Sequence, residues 1–210
     1  MSISHATLLR LPRYFRYIRE LLGCDVLRIS STELASMMGL NVSQVRSDLS
    51  SIGQLGQQGY GYNVRELYDN IADVLGIKNG YDAIIIGSGN ICLEIVHSNM
   101  IKGREIRLRG IFDYYSKVGE KISDIEIKSI TKLEGFLKEN KIDIAILCVE
   151  KELCCEACSI AVDGGVRGIW NLTQGEIRAD KLPAGVKIVN LNIFDSLGEL
   201  FGLLSEAEDK

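Results

Sequence analysis

Asp82-Ala83-Ile84-Ile85-Ile86-Gly87-Ser88-Gly89-Asn90-Ile91-Cys92 is the stretch on which the reading of this chain turns. Residues 82–86 form an almost continuous apolar run of strand length, the pattern of a strand buried on both faces of a parallel sheet. The run ends in Gly-x-Gly and leads into a helical stretch, Ile91–Met100. In such a unit the first glycine permits a tight turn and the second lets a pyrophosphate approach the backbone. The N-terminus of the following helix attracts the phosphate charge. The third glycine of the dinucleotide fingerprint is replaced by Cys92, at the position where helix and strand pack closely. Gly87, Ser88, Gly89, Asn90, Ile91 and Cys92 are the expected nucleotide contacts of this turn.

Working outward, a second strand over Ile106–Phe112 ends at Asp113. A carboxylate there accepts from a ribose 2′-hydroxyl and repels a 2′-phosphate, favouring NAD over NADP. Tyr114 follows and can pack on adenine. Helix Thr131–Glu139, strand Ile144–Val149, helix Leu153–Val162 and strands Gly168–Leu172 and Val186–Leu191 continue the alternation. The fold class is therefore α/β with a doubly wound, Rossmann-type parallel sheet. Ligands of such sheets sit beyond the strand C-termini, so Cys148, Val149, Glu150, Asn171 and Leu172 are expected at the pocket edge. A closing helix, Ile193–Leu204, gathers Ile193, Leu197, Leu200, Phe201 and Leu204 on one face. That face must be covered, by its own sheet or by a partner subunit.

The segment before this sheet has a different character. Residues 1–64 carry six arginines, no lysine and four acids, while the remainder is acidic. A small Arg-only positive module suits nucleic acid. Leu8, Leu11, Phe15, Ile18 and Leu22 recur at helical spacing, with Arg10, Arg13, Arg16 and Arg19 around the other side. Ser30 and Glu33 offer a capping box for a helix Ser31–Met38 that Gly39 ends. Asn41 caps the next helix, Val42–Ile52, with Gln44 expected to reach back from its third position. Val45, Leu49 and Ile52 form its buried stripe, leaving Ser43, Gln44, Arg46, Ser47 and Ser50 outward, as on a helix that reads a major groove. A glycine-bounded hairpin follows, with Gln57, Gln58, Gly59 and Tyr60 at its tip, and reads as a wing. The linker to the sheet lies between Tyr62 and Tyr81, partly as a helix from Val64 to Leu75.

Composition sets the outer limits. The chain has 210 residues, 46% apolar and 25% charged, with 24 Lys+Arg against 28 Asp+Glu. These are the values of a globular protein able to bury a core. The longest weakly charged stretch, near residues 83–100, is broken by Gly, Ser, Asn and Glu, so no membrane span is expected. The N-terminus lacks an apolar signal core, which points to the cytoplasm, where six cysteines are read as thiols. Cys155-x-x-Cys158 places two thiols on one helix face, but a zinc site needs four ligands and no second pair exists. No metal site is expected. Cys92, at a helix N-terminus, is the thiol with the best chance of a lowered pKa and hence of peroxide reactivity.

The run Gln44–Val64 resembles the recognition helix and wing of the Rex family of redox-sensing transcriptional repressors. Leu11–Tyr17 resembles the first helix of that family, Gly87–Asn90 with Phe112-Asp113 its cofactor motifs, and Gly168–Asn171 a later strand. The resemblance implies a homodimer that binds double-stranded operator DNA when NAD+ prevails. It also implies that NADH closes the Rossmann domains and releases the DNA, with the C-terminal helix exchanged between subunits. Ser47, Ile52, Gln57-Gln58, Cys92, Ser98 and Glu150 depart from the family's usual residues. The expected organisation is a winged helix with linker over 1–78, a dinucleotide domain over 79–192 and a dimerisation helix over 193–210. Two alternatives accompany it: a DNA-binding regulator with weak or lost nucleotide control, and an NAD-dependent dehydrogenase. The second lacks an acid–base constellation, His5 and His97 being the only histidines, so no catalytic residue is expected.

Overall fold

Ser4, Ser30, Asn41 and Asn63 each precede a helix, and each side-chain oxygen accepts from the backbone N–H three residues on. These caps, each worth about 1 kcal/mol, open α1 (His5–Gly23), α2 (Ser31–Met38), α3 (Val42–Ile52) and α4 (Val64–Val74). The computed structural model that shows this describes residues 3–53, 56–57, 60–98, 101, 103, 105–115 and 117–208. The chain divides into two compact units, Met1–Asn79 and Gly80–Lys210.

In the first unit the expected capping box closes, the Ser30 N–H donating to Glu33 Oε2 at 2.8 Å. Gly39 ends α2 at φ 62°, the left-handed conformation that glycine adopts without strain. Strands β1 (Arg28–Ile29), β2 (Gly56–Gln57) and β3 (Gly61–Asn63) form a small antiparallel sheet in the order β1-β3-β2. A hairpin therefore follows α3, as a wing requires. Gln58 and Gly59 lie outside the described residues, as does the side chain of Gln57.

Three expectations for this unit need correction. The buried stripe of α1 is rotated: Leu8 is 41% exposed, while Tyr14 is fully buried between Leu11, Phe15 and Ile18. Tyr14 can be buried because its hydroxyl has a carboxylate to donate to, at Asp48. The helix after the wing is no linker. Val64, Leu67 and Ile71 are fully buried, and Tyr68 stacks on Phe15 at 4.8 Å. Gln44 does not reach back to Asn41; its amide donates to Asp48 Oδ1 at 3.0 Å, the stronger, charged acceptor.

The second unit is built on a seven-stranded sheet of β4 (Tyr81–Ile86), β5 (Ile106–Asp113), β6 (Lys121–Ile122), β7 (Ile125–Ser129), β8 (Ile144–Leu147), β9 (Gly168–Asn171) and β10 (Lys187–Asn190). The order is β10-β9-β8-β4-β5-β7-β6, parallel except where β6 turns back on β7. Ile84 and Ile86 pack on one face with α6 (Leu133–Glu139) and α7 (Cys154–Asp163). Ile85 points to the other face, against Cys92 and Val96 of α5 (Asn90–His97). This alternation is the period of two that a strand buried on both faces imposes. Because β4 pairs with β5 on one side and β8 on the other, the winding reverses there and a crevice opens beyond the strand ends.

The last helix, α8 (Ile193–Glu208), covers none of this core with its apolar face: Ile193, Phe194, Leu197, Leu200, Phe201, Leu203 and Leu204 are 41–60% exposed.

Candidate functional site

The crevice at the winding reversal is a cleft of about 480 Å³, within the roughly 300–1,000 Å³ span of small-molecule sites. Gly87, Ser88, Gly89 and Ile91 line its floor, Asp113, Tyr114 and Tyr115 one side, and Cys148, Val149, Glu150 and Leu172 the other. Lys151, Glu152, Leu153, Thr173 and Gln174 complete it and had not been singled out in the sequence. Ten of the twelve expected nucleotide contacts thus converge on one cleft. Asn90 opens α5 but is not among the lining residues.

Cys92 requires a correction. Its side chain is fully buried between α5 and the sheet, among Ile85, Val96, Ile111 and Ile146, not in the cleft. Burial and then the Asp113 carboxylate push its thiol up to about 11, against a smaller opposing influence of Lys117. The lowering expected at a helix N-terminus is outweighed by desolvation, and the peroxide-reactive reading falls. In the cysteine-rich helix, Cys154 and Cys158 are buried while Cys155 is exposed, so the Cys155-x-x-Cys158 pair is divided between core and solvent. Among the described residues, no group of three or more His, Cys, Asp or Glu is placed to hold a metal ion.

The floor has the properties a pyrophosphate needs. Gly87 sits at φ 106°, and a Cβ there would stand 2.5 Å from the Cys148 carbonyl oxygen, so only glycine fits. At Gly89 a Cβ would meet nothing within 4 Å: among the described residues, the space beside this residue is empty. No side chain caps α5, in contrast to α1–α4, so its first N–H groups stay available to an anion.

Asp113 is the hub of the cleft's side wall. Ser88, itself buried, donates its hydroxyl to Asp113 Oδ2, and the Tyr115 N–H donates to Oδ1 at 3.0 Å. A carboxylate has about four lone-pair sites, so two remain for a ribose diol. Beside it, burial pushes the Tyr114 phenol up to about 12, with the Glu156 carboxylate adding to the effect. Its oxygen has no hydrogen-bond partner among the described residues.

In the first unit, α3 presents Ser43, Arg46, Ser47 and Ser50 to solvent. Arg46 is steadied by one bond, Nε to Ser31 Oγ at 3.0 Å. Tyr60 is 71% exposed beside the guanidinium of Arg28, which donates to its carbonyl; Arg28 had not been assigned to this surface. Arg16 lies over the Tyr17 ring. Two other arginines of the expected set have internal tasks. Arg13 donates to the Met38 carbonyl at the end of α2. Arg10 grips Asp48 through Nε and Nη2 at 2.8 and 2.7 Å. Asp48 also accepts from Thr7, Tyr14 and Gln44, and so pins α3 to α1. Sequence reading passed over this buried acid. Burial alone would push its carboxyl up, but the bonds from Arg10, Gln44 and Tyr14 outweigh that and hold it below the usual carboxylate value.

Two family models match the chain: a putative DNA-binding protein N-terminus over residues 2–50 and a CoA-binding domain over 78–175. The redox-sensing transcriptional repressor Rex of Clostridium perfringens is 42% identical over 210 residues, covering 100% of this chain and 98% of that one. Its counterpart in Caldicellulosiruptor bescii is 43% identical over 206 residues, 98% of this chain and 94% of that one. Among solved structures, RSP, a Rex-family repressor, in complex with NAD+ and operator DNA aligns with a TM-score of 0.87 at 41% identity, covering 99% of this chain and 95% of that one. The same repressor in complex with NADH aligns with a TM-score of 0.86 at 39% identity, covering 99% and 97%.

Proposed function

The chain belongs to the Rex family of redox-sensing transcriptional repressors, and from that premise we propose that it binds operator DNA through α3 and its wing and releases it when NADH fills the cleft of the second unit. The observation that carries this reading is the presence, in one chain, of a winged helix and a dinucleotide crevice, with end-to-end identity to Rex repressors.

Arg46, Ser43, Ser47 and Ser50 are assigned to the groove, Arg16 to the backbone phosphates, and Tyr60 with Gln57, Gln58 and Gly59 to the wing contact. Arg10, Arg13 and Gln44 support the reading helix from within. In the cleft, Gly87, Ser88, Gly89 and the α5 N–H groups hold the pyrophosphate. Asp113 holds the adenosine ribose and disfavours a 2′-phosphate, with Tyr114 beside it. Cys148, Val149, Glu150 and Leu172 hold the nicotinamide half. The nucleotide supplies the redox signal, since its nicotinamide ring is cationic when oxidised and neutral when reduced. Apolar Val149 and Leu172 suit the neutral ring, because burying a charge without a partner is costly. Cys92 lies beneath this floor, with Gly87 still backed onto the Cys148 carbonyl, and this packing supports a reading in which nucleotide control is retained despite the missing third glycine.

The reading includes a cytoplasmic homodimer and no catalysis. The exposed apolar face of α8 supports a subunit contact. An apolar groove of about 330 Å³ lined by Ile91, Ile95, Trp170, Leu172 and Leu191 supports a partner element seated on the second unit. Neither histidine is among the residues lining the cleft. The test is a fluorescently labelled duplex, selected by the protein from a random pool, titrated with NADH and NAD+. NADH should release the duplex at concentrations where NAD+ leaves it bound. Failure to select any duplex, or release that is indifferent to NADH, refutes the proposal.

A further inference from the structure

Ser88 is held at two points, and both anchors come from the end of β5 and the loop after it. Its hydroxyl donates to Asp113, and its carbonyl oxygen accepts from Lys117 Nζ at 3.1 Å. Asp113 lines the cleft, whereas Lys117 is not among its lining residues. The Ser88–Gly89 peptide is trans, as are all described peptide bonds, and in a trans peptide C=O and N–H point in opposite directions. A cation holding the Ser88 carbonyl therefore fixes the whole Ser88–Gly89 peptide, and with it a Gly89 N–H directed away from Lys117; both residues line the cleft. A loose glycine turn could rotate this peptide; a charge-assisted bond resists the rotation.

We propose that Lys117 is a positioning residue for pyrophosphate recognition: it orients the Ser88–Gly89 peptide so that the floor of the cleft presents its amide to the bridging phosphates, without itself touching the nucleotide. This rests on the reading of the cleft as a dinucleotide site and adds to it a residue that no motif in the sequence marks. The ligand feature it governs is the phosphate bridge, common to ADP, NADH and NAD+, and not the adenosine or nicotinamide ends. Lys117 also places a positive charge behind the turn, which raises the local potential for an anion.

The test compares wild type, Lys117→Met and Lys117→Arg in the full-length protein, titrated calorimetrically with NADH and ADP, and with adenosine followed by ligand-observed NMR. Thermal unfolding without nucleotide is recorded alongside. Lys117→Met should weaken NADH and ADP in parallel by about tenfold, the scale of one charge-assisted bond. It should leave adenosine affinity and the unfolding midpoint unchanged, and Lys117→Arg should restore most of the loss. Unchanged NADH and ADP affinity in Lys117→Met overturns the proposal. A loss equal for adenosine and ADP, or one accompanied by a large fall in the unfolding midpoint, overturns it too, since that is the mark of a disrupted fold. Wild-type protein that binds neither NADH nor ADP removes the dinucleotide reading itself, and with it this assignment.

Discussion

Replacing Asp48 by alanine removes a carboxylate on which α1 and α3 converge. The carboxylate takes bonds from Thr7, Arg10, Tyr14 and Gln44, and its side chain is only 1% exposed. The partners lose unequally. Arg10 keeps 29% of its side-chain surface and can return to water, so little of its bond energy is lost outright. The Tyr14 hydroxyl is buried and left without its acceptor, at about 1–3 kcal/mol, whereas the Thr7 hydroxyl keeps Ser4 Oγ at 2.9 Å. With the smaller losses at Thr7, Arg10 and Gln44, Asp48→Ala should cost about 2–4 kcal/mol. Asp48→Asn keeps the shape and one acceptor oxygen and should cost about 2 kcal/mol. The assay is native-state hydrogen exchange of α1 and α3 amides in the full chain, which reports the first unit separately from the sheet. A loss below about 1 kcal/mol for Asp48→Ala would refute the reasoning. The same network has a pH signature. Because the native carboxyl lies below its ordinary value, its stabilisation is fully present above the unfolded pKa of about 3.9 and is lost as pH falls from there through the native value. The gap between wild type and Asp48→Asn should close in that window; a gap constant from pH 7 to pH 2 would show that charge is not what Asp48 contributes.

Other expectations follow from the same structure. Arg46→Ala should weaken operator binding by about 1–3 kcal/mol, and unchanged affinity at moderate salt would remove Arg46 from the DNA surface. At pH 7 in the native state, a thiol reagent should label exposed Cys24 and Cys155 quickly and leave Cys92, Cys154 and Cys158 unreacted. Rapid modification of Cys92, whose thiol is pushed up to about 11, would contradict its placement in the core. On the proposal that α8 carries a subunit contact, removing residues from Asn192 onward should lower the sedimenting mass to that of a monomer or precipitate the protein; a truncation that is soluble and sediments like the full chain's dimer would show that α8 is not that contact.

Much of this was legible in the sequence because the strongest local signals agree with tertiary packing. The caps at Ser30 and Asn41 and the stop at Gly39 need only a few neighbouring residues, and the apolar run Ala83–Ile86 needs no partner to be recognised as a buried strand. What stayed hidden depends on groups distant in sequence. Asp48 falls three after Val45 and one before Leu49, inside the buried stripe, so its position was readable; its partners Thr7, Arg10 and Tyr14 lie in another helix. Cys92 stands four residues before Val96 and shares its sheet-facing side, a spacing that signals packing, but the glycine fingerprint drew attention to the ligand instead. The β6–β7 hairpin went unread because Ile125–Ser129 is short and charged. It forms because β7 has β5 to pair with, at Ile111 and Ile127. Lys117 has no sequence signature, since its role is defined by a backbone carbonyl 29 residues away.

The central claim is that the cleft and the reading helix exchange free energy, and linkage makes that exchange reciprocal. If NADH weakens operator binding by some factor, operator DNA must weaken NADH binding by the same factor. The direct measurement is the NADH dissociation constant of the full-length protein, determined calorimetrically with and without saturating operator duplex. The predicted result is weaker NADH binding on DNA, by at least about fivefold, the lower end of ordinary allosteric coupling, and equal to the factor by which NADH lowers DNA affinity. NADH constants that are identical with and without the duplex would contradict the account.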